Sequence, residues 1–128
     1  MDSNERELIF KDEVYQIVGA AMEVSSSMGC GFLEAVYQEA LGIEFSIRKI
    51  PFTPHPRIQL RYKGRMLQKE YIPDFLCFGE IIIEIKSMKS LTTNEDAQIL
   101  NYLKGTEKSL GVLLNFGPTR IEWKRLVR

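Results

Sequence analysis

The strongest chemical signal lies in one stretch, YIPDFLCFGEIIIEIK, from Tyr71 to Lys86, where Asp74, Glu84 and Lys86 interrupt the most apolar run of the chain. Two strand-like segments, Tyr71 to Cys77 and Glu80 to Lys86, flank a turn signal at Phe78-Gly79 and read as a β-hairpin. Alternation along the second segment sets Glu84 and Lys86 on one side and Ile81, Ile83 and Ile85 on the other. Two registers are open for Asp74. A three-residue loop centred on Gly79 puts it opposite Glu84, with Cβ atoms roughly 4.5–5.5 Å apart, whereas a two-residue loop puts it opposite Ile83. The first is preferred because it gathers both carboxylates on one face.

Two carboxylates at that spacing repel and lose hydration, which raises their pKa values unless a cation compensates. Asp74 and Glu84 are the kind of oxygen ligands that Mg²⁺ takes beside waters and phosphate oxygens. Lys86 would then stabilise negative charge on a phosphate or orient a water. The competing reading is a salt-bridged hairpin in which Lys86 simply neutralises Glu84, and for an isolated D…E-x-K spacing it is the commoner one; the context of the rest of the chain shifts the balance.

The elements that must position these residues have to fit in 128 residues, enough for one domain with a single core. Seventeen basic and seventeen acidic residues give no net charge, so contact with nucleic acid has to come from local patches. Cys30 and Cys77 match no metal-ligand spacing and read as reduced cytosolic thiols. The opening MDSNERELIF lacks the basic-then-apolar order of a signal peptide, and no apolar run approaches the ~20 residues of a membrane span, so a cytoplasmic location is expected. Residues 1–10 read as a flexible N-terminus and 11–128 as one domain. Nothing fixes the oligomeric state; a homodimer is compatible with it.

Helical spacing of Val14, Ile17, Val18, Ala21 and Val24 predicts a first helix from Lys11 to Ser27. After a break at Gly29-Cys30-Gly31, a second runs from about Leu33 to Arg48 on the stripe Val36, Tyr37, Ala40, Leu41 and Phe45. Glu34 lies in its first turn, where the helix dipole favours a carboxylate, and shares an edge with the buried stripe. Pro51, Pro54 and Pro56 mark an extended linker, and His55 between them reads as a surface loop residue without a catalytic role. Ile58 to Tyr62 and Arg65 to Lys69, joined at Lys63-Gly64, form a second, more polar hairpin with a basic cluster of Arg61, Lys63, Arg65 and Lys69. Such a cluster usually solvates a strand edge, and it could also touch phosphates.

A third helix, roughly Asn94 to Lys108 with Thr93 or Asn94 as cap, sets Gln98, Asn101, Tyr102 and Gly105 on one stripe, with Ala97, Leu100 and Leu103 better placed for the core. Gly111 to Asn115 reads as a buried strand and Arg120 to Val127 as the last one. The order ααββββαββ implies an α/β fold, a mixed β-sheet flanked by helices.

With those elements in place, the chain resembles the PD-(D/E)XK nuclease superfamily and, within it, the GxxExxY family. Gly31-Phe32-Leu33-Glu34-Ala35-Val36-Tyr37 matches the namesake motif, and Pro73-Asp74 with Glu84-Ile85-Lys86 matches the superfamily signature. Gln98-Ile99-Leu100-Asn101-Tyr102 is similar to the Q-x-x-x-Y element of RecB-like nucleases, and Leu113-Leu114-Asn115-Phe116-Gly117 to the family's closing strand and turn. The likeness runs from about Lys11 to the C-terminus. It implies a restriction-endonuclease-like core, with Glu34, Asp74 and Glu84 at a Mg²⁺ or Mn²⁺ site and Lys86 as the catalytic lysine. Gln98 and Tyr102 would approach that site from the third helix, and the substrate would be a phosphodiester of DNA or RNA. The superfamily also contains members that kept the fold and lost the chemistry, so a binding module is the alternative.

Overall fold

The computed structural model describes residues 9–128. The expected flexible stretch 1–10 therefore falls, over residues 1–8, outside the described residues, while Ile9 and Phe10 pack partly buried against the core. Helix α1 spans Lys11–Met28 and buries the stripe that its spacing predicts, and α2 spans Glu34–Ile47 and buries Tyr37, Leu41 and Phe45.

The strands that follow are β1 (Phe52–Pro54), β2 (Ile58–Tyr62), β3 (Arg65–Tyr71), β4 (Phe75–Cys77) and β5 (Ile81–Lys86). Helix α3 (Thr93–Thr106), β6 (Leu110–Asn115) and β7 (Glu122–Val127) complete the chain. Among the described residues, five strands form a sheet in the order β1-β4-β5-β6-β7, and β2 and β3 form a separate two-stranded ribbon. β5 and β6 are parallel, joined through α3, and the other neighbours are antiparallel, which makes the sheet mixed. None of the described helices is long and apolar enough to cross a membrane.

The sheet has two unequal faces. On one, Phe75, Cys77, Ile81, Ile83, Ile85, Val112 and Leu114 pack against α1 and α2 in a continuous apolar layer. On the other, Ile82 and Leu113 meet Ile99 and Leu103 of α3 and Tyr71 at the base of the ribbon. Alternation along β5 gives Glu84 and Lys86 to that second, smaller layer.

Four local expectations are corrected. The proline-rich stretch is not a free linker: Phe52, Thr53 and Pro54 pair with Cys77, Leu76 and Phe75, because proline is tolerated on an edge strand that has no outer neighbour. The first arm of the central hairpin is only β4, since Tyr71 belongs to the ribbon opposite Ile58 and Ile72-Pro73 separates the two. Thr92 caps α3: its hydroxyl accepts from the Asn94 N–H, and Glu95 accepts from the Thr92 N–H to close a capping box one residue ahead of the expected caps. Ala97 and Leu100 are exposed and Ile99 joins Leu103 in the core, a shift of the buried stripe around the helix.

Candidate active site

β4 and β5 pair in the register Phe75↔Ile83, Leu76↔Ile82 and Cys77↔Ile81, leaving Phe78, Gly79 and Glu80 as a three-residue loop. Continued by one residue, that register sets Asp74 opposite Glu84. Pro73 is buried and Asp74 half-buried just before β4, so its carboxylate is held at the sheet rather than in solvent. The Ile85 N–H donates to Asp74 Oδ2 at 2.7 Å, fixing the carboxylate against β5. Across the edge, the His55 N–H donates to the Asp74 carbonyl at 2.9 Å and extends the β1–β4 ladder.

Electrostatics at the pair follow from crowding and lost water. Burial first, then the Asp74 charge, push the Glu84 carboxyl up to about 7, against the opposing pull of Lys86. Lys86 Nζ stands 3.9 Å from Glu84 Oε2, too long an ion pair to outweigh burial. Asp74 is also raised, by burial and then by the charge of Glu34, while the Ile85 hydrogen bond, His55 and Lys86 pull it down. A carboxylate pair held in this state suits a hard divalent cation, which takes oxygen donors and relieves their repulsion. Among the described residues, however, no three His, Cys, Asp or Glu side chains stand close enough together to hold a metal ion. Asp74 and Glu84 are the two carboxylates that the register brings face to face, and Glu34 reaches Asp74 through its charge.

Glu34 is exposed at the start of α2 and lines an open cleft of about 670 Å³ together with Lys86, Asn94, Glu95, Gln98 and Asn101. Tyr37 of the same G-x-x-E-x-x-Y motif points inward and is fully buried. Its hydroxyl donates to the Gly29 carbonyl at 2.6 Å and accepts from the Phe32 N–H at 3.3 Å, and its ring stacks on Phe116 at 4.6 Å. Tyr37 therefore holds the loop that delivers Glu34. Ser87, directly after Lys86, ties the same loop down by donating to the Phe32 carbonyl at 2.8 Å.

On α3, Gln98 is exposed in the cleft with Lys86. Tyr102 instead stacks flat on Tyr71, ring centroids 3.8 Å apart. Tyr71 gives no chemical signal in the sequence, where it reads as a strand residue. Its buried hydroxyl lacks a hydrogen-bond partner of good geometry, and burial followed by the negative charge of Glu84 holds it well above the usual tyrosine range. The contact with Glu84 is electrostatic, short of a well-formed hydrogen bond. His55 is the exposed loop residue that the sequence predicts; what the sequence does not signal is that the pairing of β1 sets it beside Asp74.

The closing motif fixes the segment behind Lys86. Asn115, fully buried at the end of β6, accepts from the Met88 N–H at 2.9 Å and donates to the Met88 carbonyl at 3.0 Å and to Glu122 Oε1 at 3.1 Å. Glu122 also accepts from the Leu91 N–H at 2.7 Å. Gly117 lies so close that a Cβ there would stand 1.9 Å from the Met88 carbonyl oxygen, which leaves room for glycine alone.

The family model of the PD-(D/E)XK nuclease superfamily matches residues 11–126, nearly all of the described chain. The chain belongs to the PD-(D/E)XK nuclease superfamily. A solved structure described as "Crystal structure of SSO0001" aligns with a TM-score of 0.58 at 16% identity, over 96% of this chain and 61% of that one. This likeness is one of fold, and the chain spans about three fifths of that protein's length. No curated protein matches the chain. Superfamily members commonly use divalent metals, and the mixed sheet flanked by helices is their restriction-endonuclease-like fold. A separate cavity of about 890 Å³ among Tyr15, Met22, Arg48 and Trp123 shares no residue with this site.

Proposed function

We propose that this superfamily member is a metal-dependent nuclease of the GxxExxY type, that residues 11–128 form one catalytic domain, and that it hydrolyses phosphodiester bonds of DNA or RNA in the cytoplasm. The observation that carries the reading is the facing pair Asp74 and Glu84, raised in pKa, with Lys86 on the same face and lining the adjoining open cleft. Mg²⁺ or Mn²⁺ on these carboxylates would polarise a phosphate and acidify a water. Lys86 stabilises the negative charge that builds on the phosphate oxygens, Gln98 and Glu34 orient substrate and water from the cleft walls, and Tyr102 acts through its stack on Tyr71. The thiols, Cys30 exposed and Cys77 buried, are both free and suit a reducing compartment.

The test is cleavage of single- and double-stranded DNA and RNA with Mg²⁺ or Mn²⁺, using Asp74→Ala as control. Calorimetric titration with Mn²⁺ should lose most of its heat in both Asp74→Ala and Glu84→Ala, and unchanged heat in both would remove the site. A second reading, a nuclease-fold module that binds nucleic acid or a protein without cutting, is favoured by one observation: the carboxylate pair lacks a third ligand nearby among the described residues. Metal binding without cleavage would select it.

A further inference from the structure

The ribbon β2–β3 is the part of the molecule that the proposed chemistry leaves without a task. Only its base is packed: Ile58, Leu60 and Tyr71 lie against α3, with Leu60 3.0 Å from where a Cβ of Gly105 would sit. Beyond the base the chain turns tightly at Lys63-Gly64, both in the left-handed region, with φ of 48° and 76°, and every residue from Arg61 to Lys69 is exposed. That span contains Arg61, Lys63, Arg65 and Lys69 and no acidic residue. Since the whole chain is neutral, acids outnumber bases by four elsewhere, and the ribbon is a local cationic arm on an otherwise acidic body.

Charges that merely keep a strand edge from aggregating have no need of apolar company. This arm nevertheless leaves Tyr62, Met66 and Leu67 exposed by 60%, 52% and 42% among its cations, with Tyr62 directly across from Arg65. Cations interleaved with apolar side chains match a ligand that offers phosphates and, between them, base edges and methyl groups. The base of the arm is already at the candidate site, because Tyr71 stacks on Tyr102 and faces Glu84. We infer that the β2–β3 ribbon is a DNA-binding arm that enters the major groove of a B-form duplex beside the site. A two-stranded ribbon fits that groove, about 12 Å wide, whereas the A-form RNA groove is too deep and narrow to admit it. From Tyr71 to Arg65 the ribbon spans ~20 Å at ~3.3 Å per residue, so its contacts extend about six base pairs from the carboxylates.

The inference rests on the nuclease reading for its choice of ligand, and binding is therefore measured apart from cutting. In EDTA, anisotropy of a labelled 20-base-pair DNA duplex is titrated with the parent protein and with R61Q/K63Q/R65Q/K69Q across a series of salt concentrations. The parent should bind the duplex at least tenfold tighter than single-stranded DNA or duplex RNA. The variant should bind at least tenfold more weakly, with a slope of log K against log salt shallower by about 3–4, at ~0.9 for each phosphate that is no longer neutralised. An unchanged slope, equal affinity for the three nucleic acids, no duplex binding by the parent, or a preference for phosphatidylserine vesicles over the duplex would each overturn it. Should the variant unfold, acetylation of Lys63 and Lys69 in the parent decides: protection by the duplex supports the arm, and undiminished labelling removes it. Duplex binding through the arm without cleavage would sink the nuclease and spare the arm. Cleavage by a variant with parental salt dependence would do the reverse.

Discussion

One strand, β5, serves two unlike regions. Its odd-numbered isoleucines, Ile81, Ile83 and Ile85, enter a layer closed by two helices in which almost every side chain is inaccessible to water. Its even-numbered positions begin with buried Ile82 and end with half-buried Glu84 and Lys86, under a layer covered by one helix and the base of the ribbon. The second face costs stability where it crowds carboxylates, and the first supplies the rigid backbone that holds them in place, as the bond from the Ile85 N–H to Asp74 does. The contrast separates residues kept for the fold from residues kept for the site.

The largest expected effect belongs to the closed face. Ile83 is fully buried opposite Phe75, and Ile83→Ala should lower unfolding stability by about 2–5 kcal/mol in urea titration, because two helices pin the surroundings and the cavity cannot collapse. A loss below ~1 kcal/mol would mean that this layer is less tightly packed than its burial indicates.

On the open face the comparable loss should appear in rate. Lys86→Met keeps the packed stem and removes a charge whose ion pair with Glu84 is long, so stability should change by less than about 1 kcal/mol. Cleavage should fall by ~10²–10³, as on loss of one transition-state donor. Failure to fold would place Lys86 in a structural ion pair, and cleavage at the parental rate would exclude it from the chemistry.

The difference between the faces also governs what the sequence discloses. Regular burial leaves regular periods, so α1 and most of α2 are legible from apolar spacing, with only Val36 of the expected α2 stripe left exposed, whereas the register of β4 on β5 is chosen by bringing Asp74 and Glu84 to one face. The carboxylates and lysine are legible because charges inside an apolar run contradict that period. What stays hidden depends on contacts without a local signature. β1 is a strand only because β4 presents an open edge to a proline-rich segment, and that pairing carries His55 to Asp74. Tyr71 reaches Glu84 only because the ribbon folds over α3. The Thr92 cap is visible as T-x-x-E, yet Thr93 and Asn94 offer competing cap residues beside it.

An intermediate effect tests the junction of the two regions. Asn115 ends a strand of the closed core and grips Met88 behind Lys86, so Asn115→Leu strands the Met88 amide and one side of Glu122 without partners. The loss should be about 1–3 kcal/mol, with hydrogen exchange accelerating at residues 87–91 before it does so in β5. Uniform acceleration throughout would show that the loop and the sheet open as one unit.

A last effect, of similar size, has the opposite sign. Glu84 has a folded pKa of about 7 against an ordinary value of 4.5, so the folded protein holds this proton where the unfolded chain releases it. Stability therefore falls as pH rises from about 4.5 to 7 and stays reduced above that window; below it both states are protonated and nothing is lost. Glu84→Gln cannot ionise, and it also relieves Asp74 of a neighbouring charge. The variant should match the parent near pH 4.5 and exceed it by about 1–3 kcal/mol at pH 8, read from urea midpoints at the two pH values. Mn²⁺ at pH 8 should close that gap by stabilising the parent and leaving the variant unmoved. A Gln variant less stable than the parent at pH 8 would mean that Lys86 outweighs burial after all, and Glu84 would then belong with the residues kept for the fold.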